Sequence, residues 1–144
     1  MLDLASGSGL VAIAAAAAGA ASVTPSDTDP LAAAAITLNA GVNRVRLEPT
    51  VGDLLDGPGP GQEPADPVPD VVLAGDAFYD RDMASLMLPF LERTSEAGAL
   101  VLVGDPGRAY LPRDRFTQVA AYDVPVERVI EDADIKPTTV WRLR

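Results

Sequence analysis

The residues with the most chemical content lie at the start of the chain. Asp3 precedes a tight run of small residues, Ala5-Ser6-Gly7-Ser8-Gly9, and an alanine-rich stretch follows. Gly7 and Gly9 reach backbone angles closed to other residues and leave room for a ligand against the main chain. A short strand, a glycine turn and a helix present backbone N–H groups to an anion or a polar ligand. Further acids recur at intervals: Asp27, Asp53 and Asp76, the last followed by Ala77-Phe78-Tyr79. There is no histidine and no cysteine, which excludes Ser-His-Asp chemistry, thiol nucleophiles, disulfides and metal sites built on those ligands. Catalysis must therefore use carboxylates, hydroxyls, Lys or Arg, backbone dipoles or a reactive cofactor.

Gly7-x-Gly9-x-x-Ala12 fits the pattern G-x-G-x-x-G/A, with Asp27 further along as a candidate ribose-binding acid. Two cofactor classes satisfy it, nicotinamide-type dinucleotides and S-adenosylmethionine. Asp3, placed where the strand enters the turn, would repel a pyrophosphate and attract the ammonium of an amino-acid-type cofactor. That favours S-adenosylmethionine. Asp53 is a candidate acceptor for an adenine amino group, with Leu54 packing on the ring. Asp76, with the aromatics Phe78 and Tyr79 after it, lies beyond a strand's carboxyl end, where it could hold an amine. Phe78 is expected to shield the amine from water. Arg108, in the turn Asp105-Pro106-Gly107-Arg108, is expected on the rim of a substrate pocket.

These residues need elements to position them. The length of 144 residues suits one domain, and 48% hydrophobic content provides a core. Strands are expected over 1–5, 22–26, 42–48, 70–75 and 99–104, with a final antiparallel pair over 120–128 and 138–143. Helices are expected after Gly9, over 30–39 with Asp29 as N-cap and Pro30 in its first turn, over 81–97, and briefly near 112–119. Residues 57–69 (GPGPGQEPADPVP) read as an exposed loop. Alternating strands and helices followed by a hairpin imply an α/β, Rossmann-like, doubly wound and mostly parallel sheet in a single domain, 1–144. The net charge of −10 argues against nucleic acid as a partner. The apolar run after Gly9 is too short for a membrane span, and no basic residue precedes Arg44, as a signal peptide would require. Cytoplasmic localisation without membrane association is the expectation.

Together these segments resemble the class I, seven-strand S-adenosylmethionine-dependent methyltransferases. Asp3-Leu-Ala-Ser-Gly7-Ser-Gly9 is similar to that family's first motif, with Ala5 where many members carry glycine. The nearer resemblance is to the electron transfer flavoprotein β-subunit lysine methyltransferases, through Leu73-Ala-Gly-Asp76-Ala-Phe-Tyr79-Asp80 and Gly104-Asp-Pro-Gly-Arg108-Ala-Tyr110-Leu. Ribosomal protein L11 methyltransferases are similar through strand two and differ after strand four. The resemblance implies S-adenosylmethionine as cofactor and a protein substrate with a target lysine, electron transfer flavoprotein β-subunit among the candidates. It implies Asp3, Ala5, Gly7, Gly9 and Asp27 at the cofactor and Asp76 and Tyr79 in catalysis, beside Asp53 at the cofactor and Phe78 and Arg108 at the substrate from the residue reading above. Related proteins carry a segment before strand one, so the chain is expected to lack part of its N-terminal side. A ribosomal-protein or small-molecule N-methyltransferase, a nicotinamide-dinucleotide oxidoreductase and a non-catalytic binding domain are the alternatives.

Overall fold

The computed structural model describes residues 1–55, 68–126 and 134–144. Within them one seven-stranded sheet runs in the order β3-β2-β1-β4-β5-β7-β6. The strands are β1 (Leu2–Leu4), β2 (Thr24–Asp27), β3 (Thr50–Val51), β4 (Val71–Gly75), β5 (Leu100–Asp105), β6 (Phe116–Pro125) and β7 (Ile135–Leu143). The first five are parallel, and β7 inserts antiparallel between β5 and β6. This is the Rossmann-like sheet with an antiparallel hairpin that the alternation of elements implies.

Three helices link the parallel strands. α1 (Leu10–Ala17) starts at Gly9, whose φ of 84° turns the chain out of the loop. α2 (Pro30–Val42) is capped by Asp29, which accepts from the Leu31 N–H at 2.8 Å, and Pro30 opens its first turn where no N–H is missed. α3 (Arg81–Glu96) is capped by Asp80, which accepts from the N–H groups of Asp82 and Met83. Met87 and Leu91 of α3 are fully buried against Val72 and Ala74 of β4 and Val101 and Val103 of β5, with Phe116 and Leu143 closing the core. No helix among the described residues is long and apolar enough to cross a membrane.

Three expectations are corrected. The third strand is not at 42–48: α2 continues to Val42, Arg44 takes a left-handed turn (φ 58°), and the strand is the short Thr50–Val51. The alternation of Val45 and Leu47 with arginines belongs to a connecting segment. The helix near 112–119 is only a 3₁₀ turn, Arg113–Arg115, after which β6 begins at Phe116. β-Branched Thr117 and Val119 suit a strand, and strand geometry sends Phe116 into the core. Strand two is shifted to Thr24–Asp27 and keeps Pro25, because β3 joins only at Ser26 and Asp27, so no pairing on that side needs the missing N–H. The loop expected at 57–69 falls almost wholly outside the described residues, as do 127–133.

Candidate functional site

The carboxyl ends of β1, β2 and β4 open onto a cavity of about 420 Å³, within the range of roughly 300–1,000 Å³ usual for small-molecule sites. The glycine loop forms one wall. Its backbone is fixed from several sides: Ser6 N–H donates to the Ser26 carbonyl at 3.0 Å, Gly9 N–H to the Ser6 carbonyl at 2.9 Å, and the Asn39 amide to the Ser8 carbonyl at 2.8 Å. Gly7 N–H donates to Asp27 Oδ2 at 2.8 Å, while Asp27 Oδ1 accepts from Asp29 N–H at 3.0 Å. Asp27 thus ties the loop to the end of β2. A carboxylate has about four acceptor positions, and Asp27, which faces the cavity, has used two.

The two loop glycines do different work. At Gly7 (φ 54°) a Cβ would meet nothing within 4 Å, and the residue lines the cavity. Its bareness keeps the main chain open to a ligand. At Gly9 (φ 84°) a Cβ would come within 3.0 Å of the Ile36 side chain on α2. Gly9 lets α1 and α2 pack, and it does not line the cavity. Ala5 does line it, at a φ of 54° that glycine tolerates and alanine resists.

Asp3 is placed otherwise than expected. It is 1% exposed and is not in the cavity wall. Its Oδ2 accepts from Ser6 Oγ at 2.6 Å and from Ala12 N–H at 2.9 Å, so it braces the loop against the first turn of α1 from behind. Burial pushes its carboxyl above the ordinary value of 3.8; the bonds from Ser6 and Ala12 oppose this, and the nearby charge of Asp27 adds to it.

Across the cavity Asp53 binds Leu55 N–H through Oδ1 at 2.9 Å, and Leu54 and Leu55 stand beside it as apolar lining. Asp76 and Tyr79 line the same cavity, Tyr79 with 57% of its surface exposed. Asp76 has a φ of 52°, and its N–H donates to the Gly104 carbonyl at 2.7 Å. Phe78 corrects a second expectation. It is wholly buried, packs edge-on against Phe116 at 6.2 Å between ring centres, and offers no surface to a substrate. Arg108 is not in the cavity wall either. Its Nε and Nη2 donate to the two oxygens of Asp76 at 2.6 and 2.7 Å. The turn carrying Arg108 is closed by Asp105, whose Oδ1 accepts from the N–H groups of Gly107 and Arg108.

Several wall residues escaped the sequence. Met83 and Leu86 of α3 line the cavity, as do Thr28, Gly52 and Ala77. Met83 and Leu86 share the helical stripe of Met87 and Leu91, so spacing alone assigns them to the core. The clue lay in their position in the first turns of a helix that starts beyond a strand's carboxyl end.

Among the described residues the cavity lining contains Asp27, Asp53 and Asp76 and no Lys or Arg; Arg108, outside the wall, pairs with Asp76, so the net negative charge rests on Asp27 and Asp53. That field repels a pyrophosphate and suits a ligand carrying positive charge. With Gly7 bare, spare acceptors on Asp27 and Asp53, and apolar lining from Leu54 to Met83, these residues fit an adenosine-type ligand bearing a cation.

A sheet of this order with a glycine loop after β1 and an acid after β2 defines a class I methyltransferase-type fold. The model of the ribosomal protein L11 methyltransferase (PrmA) family matches residues 1–76, just over half of the chain and reaching through β4. The chain belongs to that family. It is 33% identical over 146 aligned positions to the electron transfer flavoprotein β-subunit lysine methyltransferase of Rattus norvegicus, covering 98% of this chain and 55% of the relative. The chain thus spans about half the length of the curated relatives it matches. Among solved structures, the ribosomal protein L11 methylase of Lactobacillus delbrueckii superposes with a TM-score of 0.60 at 18% identity, covering 99% of this chain and 69% of that one. The Pyrococcus abyssi tRNA (uracil-54, C5)-methyltransferase, solved with S-adenosyl-L-homocysteine, superposes with a TM-score of 0.64 at 16% identity over 99% of this chain and 33% of that one. These likenesses bear on the fold.

Proposed function

We propose that the chain is the cofactor-binding body of an S-adenosylmethionine-dependent N-methyltransferase that modifies a protein lysine, with electron transfer flavoprotein β-subunit as the candidate substrate. The observation that carries this reading is the pair of carboxylates Asp27 and Asp53 in a lining with no Lys or Arg among the described residues, beside a bare Gly7 backbone. The names of the family and of the full-length relatives support methyl transfer and, for the relatives, a lysine acceptor.

S-adenosylmethionine, when bound, supplies a methyl group already activated on a positively charged sulfur. Asp27 would accept ribose hydroxyls, Asp53 and Leu54 would hold the adenine, and the loop at Ala5–Gly7 would cradle the amino-acid portion. The acceptor amine must first lose its extra proton to solvent. The neutral amine, with its lone pair free, is the form that could take up that methyl group. Asp76 and Tyr79, which line the cavity, would orient that amine, and holding it within about 3–3.5 Å of the methyl carbon is the main work left to the protein.

Calorimetry tests the cofactor class: S-adenosylhomocysteine should bind and NAD should not. Binding of NAD alone would sink the reading. Labelled methyl transfer into purified electron transfer flavoprotein β-subunit then tests the acceptor. Ribosomal protein L11 is the second acceptor to try, because the L11 methyltransferase model matches residues 1–76.

A further inference from the structure

Asp76 and Arg108 are 32 residues apart and meet as a two-pronged pair at the cavity rim, with side-chain exposures of 48% and 36%. The arrangement is built from both sides. Asp76 is held in a left-handed turn, with its N–H on the Gly104 carbonyl. Arg108 projects from the turn that the buried Asp105 closes through two backbone bonds. Asp27, Asp53 and Tyr79 line the same cavity as Asp76, and Asp80 caps α3. Arg81 stands 5.9 Å above the Tyr110 ring.

A bare carboxylate at this rim would create a problem for the proposed reaction. It would bind a lysine side chain most tightly as the ammonium, the form with no lone pair to react. The guanidinium removes that difficulty: it neutralises Asp76 and occupies one lone pair on each oxygen, leaving others to accept an N–H from a neutral amine.

We propose that Arg108 is a positioning residue that acts through Asp76: it sets the charge at the rim so that Asp76 orients the acceptor amine without trapping it as ammonium. This rests on the methyltransferase reading given above. It also separates Arg108 from the substrate-contacting role suggested by sequence, because the arginine works on the carboxylate and not on the substrate.

The test uses n-butylamine as a mimic of the lysine side chain, titrated by NMR into the full chain with S-adenosylhomocysteine present. At about pH 7.5 n-butylamine, with a lysine-like pKa of about 10.4, is almost wholly ammonium, and its affinity is compared with that of n-butanol, an uncharged mimic of the same length. In Arg108→Gln the ratio of n-butylammonium to n-butanol affinity should rise about fivefold over wild type, as the ammonium gains a bare carboxylate. Arg108→Lys, which keeps the charge, should stay within about twofold of the wild-type ratio. In an Asp76→Asn background Arg108→Gln should leave the ratio unchanged. A purely structural role would weaken binding of both probes equally. That result overturns the proposal, as does a lysine variant that behaves like the glutamine variant. Failure of S-adenosylhomocysteine to bind the wild-type chain overturns the methyltransferase reading itself.

Discussion

The two sides of the cavity use the same residue type in opposite ways. On the β1–β2 side, Asp3 and Asp27 spend their oxygens mainly on backbone N–H groups of the loop and the adjoining helix starts. Those partners cannot move unless the strands and helices move with them. On the β4–β5 side, Asp76 spends its oxygens on the tip of an arginine, and both partners are substantially exposed. A side-chain pair in water can open and re-form at little cost, because exposed ion pairs contribute only about 0–1 kcal/mol. One side is preformed, as would suit the proposed cofactor. The other can adjust, as would suit the proposed acceptor.

The sharpest way to break this comparison is within the preformed loop. Gly9→Val forces a β-branched side chain into φ 84° with its Cβ 3.0 Å from Ile36 Cγ1 and 3.2 Å from Cγ2. Adding left-handed strain to overpacking, the expected loss is about 2–4 kcal/mol, read from the urea midpoint. Gly7→Ala meets no neighbour, so its loss should stay near 1 kcal/mol from backbone strain alone. Its cost should appear instead in S-adenosylhomocysteine affinity. Equal destabilisation by the two substitutions would mean that the loop is not anchored as described.

Asp27→Ala comes next. It removes the tether on Gly7 N–H and the proposed acceptor for ribose hydroxyls together. Loss of a charge-assisted hydrogen bond of roughly 1.5–3 kcal/mol corresponds to about a tenfold or greater fall in S-adenosylhomocysteine affinity. Stability should drop by no more than about 1 kcal/mol, since water can reach the freed N–H groups. Unchanged affinity by calorimetry would remove Asp27 from the binding site.

Much of this arrangement was legible in the sequence, and the misses share a cause. The strand–glycine–helix opening, the N-cap at Asp29 and the buried runs at 71–75 and 100–105 depend on local residue preferences, which a sequence displays directly. The third strand failed because period-two alternation over Val42–Glu48 gives no sign of where an alanine-rich helix stops. Phe78 failed because an aromatic beside a candidate acid looks the same whether it faces a cavity or, as here, Phe116, 38 positions further along. Asp3 and Arg108 drew notice for the correct reason, charge near the strand ends, but their side chains are aimed by contacts that only the fold creates. For Arg108 that contact spans 32 residues.

Asp3 offers a pH test of the buried side of the comparison. Its carboxyl is raised above 3.8 chiefly by burial, so the folded chain holds this proton more tightly than the unfolded chain does. Where the native state binds more protons, stability falls as pH rises. The contribution is therefore fully present below 3.8 and is lost as pH climbs through the raised folded value. Asp3→Asn keeps an oxygen for Ser6 and Ala12 and has no proton to lose. Its urea midpoint should gain on that of the wild type across this window and hold the gain above it. If the wild type gained on the variant instead, the bonds from Ser6 and Ala12 to the ionised form would outweigh burial.

The smallest effect is expected at Ala5, and its sign is the informative part. Ala5 occupies φ 54°, where an L residue bears about 1–2 kcal/mol of strain. Glycine removes that strain but adds about 0.4–1 kcal/mol of unfolded-state entropy to be lost on folding. The difference favours Ala5→Gly by roughly 0.5–1 kcal/mol, a small rise in the urea midpoint. The substitution also withdraws a methyl group from the cavity wall, so S-adenosylhomocysteine affinity should hold or increase. A fall in stability would show that the Ala5 side chain makes packing contacts worth more than its backbone strain. The loop would then be shaped by its own side chains, and not, as its hydrogen bonds indicate, by Asp3 behind it and Asp27 beside it.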